Sequence, residues 1–404
     1  MARPINVGIV GYGFSTRCFN LPFILPNPDL KVYAFLQRAP APADKSAVEP
    51  GKHCTVDYPN AKHYQTSDEF FADPEIELVV VCTKHDSHAD FAEKALKANK
   101  HVVVEKCFTV TTEEADRVLE AAKHTDKILT VFQNRRYDSD FRTLQHLVQQ
   151  KAFGQVTECE IHYDVDFPPW MQSWKSPGYR PGDGMMFGLG SHTIDQALLL
   201  FGRPASVTGL YRALRGIESK TDDAFTIILQ YSGDQKNLVV TVKTSVVTTM
   251  QYPLKYFIRG YDGSFMKFGD DKQETQTFAG ETPLTPGFGV EPEATWGLLT
   301  TKSKIHENQE KDERTGHYVG KFPSLKGEYT KYYTDLVKAI RGEQELYVKP
   351  ELARDGIRII ELARESADKG LARSSWWKRS WTLRGSYSAA SEKAFASDRL
   401  HNWA

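Results

Sequence analysis

The sequence predicts an α/β domain with a doubly wound parallel sheet, followed by an α+β domain built on a large, mostly antiparallel open sheet. Three observations predict it. Residues 1–130 alternate short apolar runs with helical patterns, as successive βα units do. The runs ELVVVCT (77–83) and HVVVE (101–105) are apolar on both faces, as central strands of a covered parallel sheet are. After residue 150 the texture changes to long β-rich segments, several of them alternating polar and apolar, most separated by turns such as SGD and YDG.

Taken in order, INVGIVG is the first strand, and a helix starts near Phe14. KVYAFLQ (31–37) is the second strand. Ala39 to Cys54, rich in Pro, Ala and charge, reads as irregular loop. SDEFFADP is a short helix with Ser67 as its cap and acids in the first turn. After strand 77–83 comes HADFAEKALKANK, an amphipathic helix with Phe91, Ala95 and Leu96 on one face. Strand HVVVE, helix TTEEADRVLEAAKHT and strand ILTVFQN (128–134) complete the alternation.

In the second half a helix, SHTIDQALLLF (191–201), precedes the strands ASVTGLYRAL, AFTIILQY, NLVVTVKTSVVTT and LKYFIRGYDGSFMKF. Residues 281–325 read as loop-rich. Helices YTKYYTDLVKAI and ARDGIRIIELARESADK close the fold. The expected division is 1–130, 131–373 and a tail, 374–404, that carries Trp376, Trp377 and Trp381 without core periodicity. There is no internal repeat.

Composition narrows the function. With 51 basic and 52 acidic residues the net charge is -1, which leaves no electrostatic footprint for nucleic acid or an anionic membrane. No apolar run is long enough to span a bilayer. The N-terminus enters a strand at once, so no signal peptide is expected. The five cysteines (Cys18, Cys54, Cys82, Cys107 and Cys159) are odd in number and lack metal-ligand spacing, which predicts reduced thiols in a cytoplasmic protein and no metal centre. Cys107 reads as a small apolar filler.

The chemistry sits in three places. In Gly11-Tyr12-Gly13-Phe14-Ser15-Thr16 the first glycine makes a tight turn out of the strand, the second admits a close pyrophosphate, and the helix start at Phe14, Ser15 and Thr16 offers N–H groups to phosphate. The third position of that fingerprint is usually Gly or Ala; here it is Thr16. This predicts a Rossmann dinucleotide site. The second strand ends Leu36-Gln37-Arg38, with no acid for a ribose 2′-hydroxyl and an arginine suited to a 2′-phosphate, which favours NADP(H) over NAD(H).

The second place is Glu105-Lys106, at the carboxyl end of a buried strand, where an open parallel sheet binds its ligands. A buried lysine there can exchange a proton with a substrate hydroxyl; a plain Glu105–Lys106 salt bridge is the competing reading. The third is GMMFGLGSHTIDQALLLFG (184–202), where His192 and Asp195 lie three apart on one helix face behind a run of glycines. His192 reads either as an acid/base partner or as a capping or core histidine.

These segments together resemble the glucose–fructose oxidoreductase / inositol dehydrogenase (Gfo/Idh/MocA) family. The matching stretches are VGIVGYGFST, VCTKHDSHADFAEKALKANKHVVVEKCFTVTTEEA and GLGSHTIDQALLLFG, and the resemblance runs from about residue 5 to about 370. VFQNRRYDSDFRTL, YFIRGYDGSFMKFG and GEYTKYYTDLVKAIRG are similar to its NADP-dependent scyllo-inositol dehydrogenase branch. The resemblance implies that Lys106 and His192 are catalytic. It puts the nucleotide-contacting Thr-Pro-Asn-x-x-His segment on Thr83, Lys84, His85, Asp86, Ser87 and His88. Thr83, His85, His88, Glu105, Lys106 and Asn134 join Gly11, Gly13, Phe14, Ser15, Thr16 and Arg38 as the expected cofactor residues. Arg135, Arg136, Tyr163, Tyr179, Asp183 and Asp195 are the expected substrate residues.

Three departures stand out. Cys107 replaces the proline after the lysine, Lys84-His85 replaces Pro-Asn, and Gly188 stands where the family often has an aspartate four residues before the histidine. Two readings follow. One is an NADP(H)-dependent oxidoreductase interconverting a secondary hydroxyl and a ketone or lactone on a cyclitol or sugar, assembled as a homodimer or dimer of dimers. The other is a non-catalytic dinucleotide-binding regulatory or scaffold protein, supported by Gly188.

Overall fold

The protein is described by a computed structural model over residues 3–174 and 177–370. The expected tail at 374–404 lies outside the described residues. The first sheet has six strands: β1 (Ile5–Val10), β2 (Leu30–Leu36), β3 (Lys62–Tyr64), β4 (Leu78–Val81), β5 (His101–Val104) and β6 (Leu129–Val131). All pairs are parallel and the order is β3-β2-β1-β4-β5-β6, the doubly wound order in which ligands sit beyond the carboxyl ends near the reversal at β1. Every residue of β4 is buried, as the all-apolar LVVV run requires of a strand covered on both faces.

Helices flank this sheet. The chain turns helical at Phe14 and reaches α1 (Leu21–Ile24); α2 (Cys54–Asp57), α3 (Ser67–Ala72), α4 (His88–Lys97) and α5 (Thr112–Lys123) follow. Thr66 rather than Ser67 caps α3: its hydroxyl accepts the Glu69 N–H and Ser67 is already helical. The three-residue β3 carried no readable period and was not expected.

The second sheet has nine strands: β7 (Val156–His162), β8 (Ser206–Arg212), β9 (Ala224–Gln230), β10 (Val239–Thr244), β11 (Leu254–Gly260), β12 (Gly263–Phe268), β13 (Gly297–Thr301), β14 (Glu310–Lys311) and β15 (Tyr318–Phe322), in the order β14-β15-β13-β12-β11-β7-β10-β9-β8. Every pairing is antiparallel except β7 with β10. Three of these strands correct the loop reading of 281–325: β13, β14 and β15 extend the sheet there. They are short and interrupted by polar turns, so alternation is hard to see, and β7, with its charged VTECEIH sequence, was hidden in the same way.

Helices α6 (Ser139–Gln149) and α7 (Ser191–Phe201) pack behind this sheet in one core with Ile161, Phe225, Val240 and Ile258. The short α8 (Gln273–Phe278) leaves the sheet after β12. Helices α9 (Thr330–Ile340) and α10 (Pro350–Asp368) return toward the first sheet. Tyr332, Tyr333 and Leu336 of α9 share a core with Val7, Ile9 and Leu78. Glu361 of α10 accepts both the backbone N–H and the hydroxyl of Thr112, each at 2.7 Å. On β8, Gly209 lies so close to α10 that a Cβ would overlap the Ala363 carbonyl.

On the opposite face of the second sheet apolar side chains remain open. Met266 and Leu298 are paired across β12 and β13, Met266 is also paired with Phe257 of β11, and Met266, Leu298 and Phe268 are 37–46% exposed. No helix among the described residues is long and apolar enough to cross a membrane.

Candidate active site

The parallel sheet brings the expected cofactor residues to one edge. Gly11 follows β1, Arg38 follows β2, Thr83 follows β4, Glu105 and Lys106 follow β5, and Asn134 follows β6. Gly11 has φ +95°, and a Cβ there would lie 2.5 Å from the Cys82 carbonyl oxygen, so the turn demands glycine. Its N–H donates to the Leu36 carbonyl at 2.9 Å, which sets the glycine turn beside the end of β2 and the exposed Arg38. A Cβ on Gly13 would meet nothing within 4 Å, leaving room for a pyrophosphate against the backbone at the start of the helix. Thr16 is fully buried and its hydroxyl donates to the Gly11 carbonyl at 3.0 Å. The threonine therefore ties the turn instead of loosening it. These features fit a dinucleotide.

Glu105 is buried, and its oxygens are taken by the Ser15 hydroxyl at 2.6 Å, the Asn20 amide at 2.8 Å and the Lys106 backbone N–H at 3.0 Å. Tyr333 of α9 donates to Asn20 at 2.6 Å and fixes it. The Lys106 amine points elsewhere: Nζ donates to the Gly188 carbonyl at 2.9 Å. The Glu105–Lys106 salt bridge is thus replaced by a bond that spans the two sheets. Burial holds Lys106 below the usual lysine range, with Arg135 adding to the effect.

The peptide between Lys106 and Cys107 is cis. The Cys107 thiol is fully buried, and burial pushes it up to about 12, so it stays a protonated filler. Its carbonyl lies 2.8 Å from His88 Nδ1, and His88 Nε2 is 3.1 Å from the Thr83 carbonyl. Burial holds His88 below the ordinary histidine range, so its single N–H donates to one of these carbonyls and the ring packs against the other, between the ends of β4 and β5. His85 Nδ1 is 3.0 Å from the Gly182 carbonyl, and burial pushes its pKa down to about 4. A neutral ring with its proton on Nδ1 makes that bond, so the residue that departs from Pro-Asn links the cofactor edge to the turn ahead of α7.

That turn is built around Asp222. Its carboxylate accepts the Met186 N–H at 2.7 Å and pairs with Arg364 of α10. At Gly184, φ is +94° and a Cβ would overlap Asp222. A π-helical turn, Met186–Gly190, then leads into α7 and delivers His192. His192 is buried and its Nδ1 has no hydrogen-bond partner. Burial first, then the charges of Lys106, Arg135 and Lys255, hold it well below the ordinary histidine range. His192 is therefore a neutral imidazole with a vacant nitrogen beside a lysine, not a satisfied cap.

The expected substrate residues divide. Arg135 and Tyr163 lie together: the Arg135 guanidinium hydrogen-bonds the Tyr163 hydroxyl and pairs with Glu274, and Lys255 Nζ sits 4.3 Å from the Tyr163 ring centre. Arg136 and Asp195 are otherwise engaged. Both side chains are essentially inaccessible, at 0% and 3%, and form a two-pronged pair with both bonds at 2.7 Å. This corrects the expectation that they line a polar pocket: each neutralises the other inside the protein. Tyr179 lies under the Arg364 guanidinium, and Asp183 pairs with Arg180 at 3.5 Å.

Two residues escaped sequence reading. Lys255 looked like one polar position in an alternating strand, yet it is 2% exposed and paired with Asp270 at 2.9 Å. Glu274, on α8, had no motif around it. It holds Arg135, keeps 27% of its side chain exposed and acts electrostatically on Lys106. The same helix ends in Phe278, whose ring lies 5.8 Å from that of Phe14 at the glycine turn.

A glycine-turn dinucleotide site with a desolvated lysine and a neutral histidine at the sheet's carboxyl edge defines an NAD(P)-binding oxidoreductase. The chain belongs to the Gfo/Idh/MocA family. Residues 5–133 match the family's model described as an oxidoreductase family with an NAD-binding Rossmann fold, and residues 141–266 match its C-terminal domain. The chain is 36% identical to the "Uncharacterized oxidoreductase C115.03" of Schizosaccharomyces pombe, over 90% of this chain and 98% of that one. It is 32% identical to the scyllo-inositol 2-dehydrogenase (NADP(+)) IolW of Bacillus subtilis, over 90% and 94%. A solved oxidoreductase from Bacillus cereus superposes with a TM-score of 0.76 at 28% identity, over 89% and 95%.

The Arg136–Asp195 pair makes a prediction. Asp195→Asn leaves a buried guanidinium without its counter-charge, which should lower stability by about 3–5 kcal/mol. Chemical denaturation measures this, and dinucleotide affinity of the folded protein should stay as it was. A loss below about 1 kcal/mol, the scale of an exposed pair, would contradict the structural role.

Proposed function

We propose that this oxidoreductase uses NADP(H) to interconvert a secondary hydroxyl and a ketone or lactone on a cyclitol or sugar, in the cytoplasm. The observation that carries the reading is a desolvated Lys106 bonded to the turn that delivers a buried, neutral His192. The NADP-dependent scyllo-inositol relative supports the substrate class and the cofactor. Arg38, exposed beyond β2 with no acid beside it, supports the 2′-phosphate.

Gly11, Gly13 and the helix start at Phe14 would hold the pyrophosphate. Bound at this edge, the nicotinamide supplies the hydride acceptor or donor for the carbinol carbon. Oxidation also releases the hydroxyl proton, and the neutral Lys106 amine takes it; in reduction the ammonium returns it. His192 fixes the reacting oxygen. Lys106 is held by the Gly188 carbonyl, where the family often has a carboxylate. A carbonyl orients the amine without stabilising its charged form as a carboxylate would, which keeps the lysine usable as a base. Arg135, Tyr163 and Glu274 supply donors and acceptors for further hydroxyls.

Two variants test the roles. Lys106→Met should keep dinucleotide binding and lose at least ~10²-fold in turnover, the usual scale of general acid–base help. For oxidation the base must be unprotonated, so parent kcat/KM should rise with pH, with an apparent pKa below the ordinary lysine value of about 10.4, and that limb should vanish in the variant. NADPH absorbance with a panel of inositols, inososes and aldoses gives the readout; near-normal turnover in Lys106→Met would exclude the role. Arg38→Ala should weaken NADP binding by about 10–100-fold, equivalent to about 1.5–3 kcal/mol for a charge-assisted contact, and leave NAD binding near its parent value. Unchanged NADP affinity would remove the cofactor assignment.

The open face of the second sheet bears on assembly. The row Phe257, Met266 and Leu298 runs across three adjacent strands. Such a patch suits a second copy of the chain, as a homodimer or dimer of dimers. Light scattering should give at least twice the 45.7 kDa chain mass; a monomer at micromolar concentration would refute it.

A further inference from the structure

Away from the catalytic edge, the fold gathers three side chains of metal-ligand type. His53 and Cys54 stand at the start of α2, and His63 at the centre of β3. Cys54 Sγ and one ring nitrogen from each histidine lie within 4.8 Å of one another, and among the described residues this is the one group of three such side chains so placed. His53 and Cys54 are buried and His63 is half-buried. The two imidazole rings are 4.9 Å apart and steeply inclined, at 79°.

The surroundings orient the rings. His63 Nε2 is 2.9 Å from the Gln37 carbonyl, so it carries the proton and leaves Nδ1 as a lone pair. His53 has Thr55 Oγ1 at 2.9 Å from Nδ1 and the Ala39 carbonyl at 3.2 Å from Nε2. Nδ1 also accepts the Thr55 backbone N–H at 3.2 Å, so ligation through Nε2 requires the proton to move to Nδ1, facing Thr55 Oγ1, and gives up both that N–H bond and the contact to Ala39. A ring nitrogen bonded to a carbonyl or hydroxyl while the other faces outward is how metal-bound histidines are commonly held. Two imidazoles and one thiol, with no carboxylate, disfavour calcium and magnesium, which need oxygen ligands. They suit Zn²⁺, which takes Cys and His in tetrahedral sites. Zinc bonds of about 2.0–2.3 Å put neighbouring ligand atoms about 3.5 Å apart, so the observed donors need to close by about an ångström.

We propose that His53, Cys54 and His63 form a Zn²⁺ site whose fourth position is open to water. The site would also brace the cofactor's adenosine end. His63 contacts the Gln37 carbonyl next to Arg38, and the Cys54 N–H donates to the Gln37 side chain at 2.9 Å. Zinc at this position fixes the segment that presents Arg38, so NADP(H) should bind more tightly to the zinc form. This second consequence rests on the cofactor reading above; zinc binding does not.

The test uses the full chain, stripped with a chelator and titrated with Zn²⁺ against a chromophoric competitor. One equivalent should bind, and Cys54→Ser and His63→Ala, checked for parent-like circular dichroism, should lose about tenfold or more in affinity. Co²⁺ added to the parent protein should give a thiolate-to-cobalt charge-transfer band that Cys54→Ser lacks, which keeps the test valid if His63→Ala misfolds. No uptake by the parent, equal binding by both variants, or cobalt binding without the thiolate band would overturn the site. Cys54-dependent zinc binding with NADP affinity unchanged would overturn the bracing role. A loss of the Arg38→Ala effect would count against the cofactor reading while leaving the zinc site in place.

Discussion

The hydrogen bond from the Lys106 amine to the Gly188 carbonyl joins the end of the parallel strand β5 to the turn that delivers His192. The relative placing of Lys106 and His192 depends on that junction. Each end is fixed by its own half of the protein. Glu105 is locked to Ser15 and Asn20, so the backbone of Lys106 cannot swing. Asp222 and Arg364 hold the turn at Met186. Were Glu105 free to pair with the amine, the charged form of Lys106 would be stabilised and its use as a base weakened.

Around this bond the protein accepts the cost of burying charge. Lys255 with Asp270 and Lys267 with Glu291 form ion pairs under the second sheet, and Tyr329 donates to Asp138 at 2.6 Å beside Arg135. Burying ions is unfavourable unless they are paired; at His192 burial first, then the positive charges of Lys106, Arg135 and Lys255, disfavour a further charge. The imidazole stays neutral and the lysine is pushed toward its uncharged form. Glu105 and, more weakly, Glu274 still act on Lys106 from a distance, and Glu274 is itself paired with Arg135.

The departures from the family's pattern have physical compensations. Thr16 closes the glycine turn with its hydroxyl. His85 reaches the Gly182 carbonyl and couples the cofactor edge to the second half. Cys107 fills the core while its carbonyl holds His88. In each case a side chain that breaks the motif makes a hydrogen bond or a packing contact that serves the same positioning need.

The sequence by itself determined most of the first sheet, because a strand covered on both faces must be largely apolar: β4 is wholly so, and β1, β2, β5 and β6 are each interrupted by one polar residue, Asn6, Lys31, His101 and Thr130. It also determined the edge at which Gly11, Arg38, Thr83, Lys106 and Asn134 meet, since parallel strands put all their carboxyl ends on one side. The helix that carries His192 was also legible, as the apolar run SHTIDQALLLF. Strands β3, β7, β13, β14 and β15 were not, because short or charge-bearing strands carry too few apolar positions to show a period of two. Only the tertiary structure decided which partner each polar side chain takes: Asp195 to Arg136, Lys106 to Gly188, Glu274 to Arg135, and His53 to the neighbourhood of His63. Those pairings join residues from 10 to 139 positions apart, and a local pattern holds no information about contacts that depend on how two sheets pack.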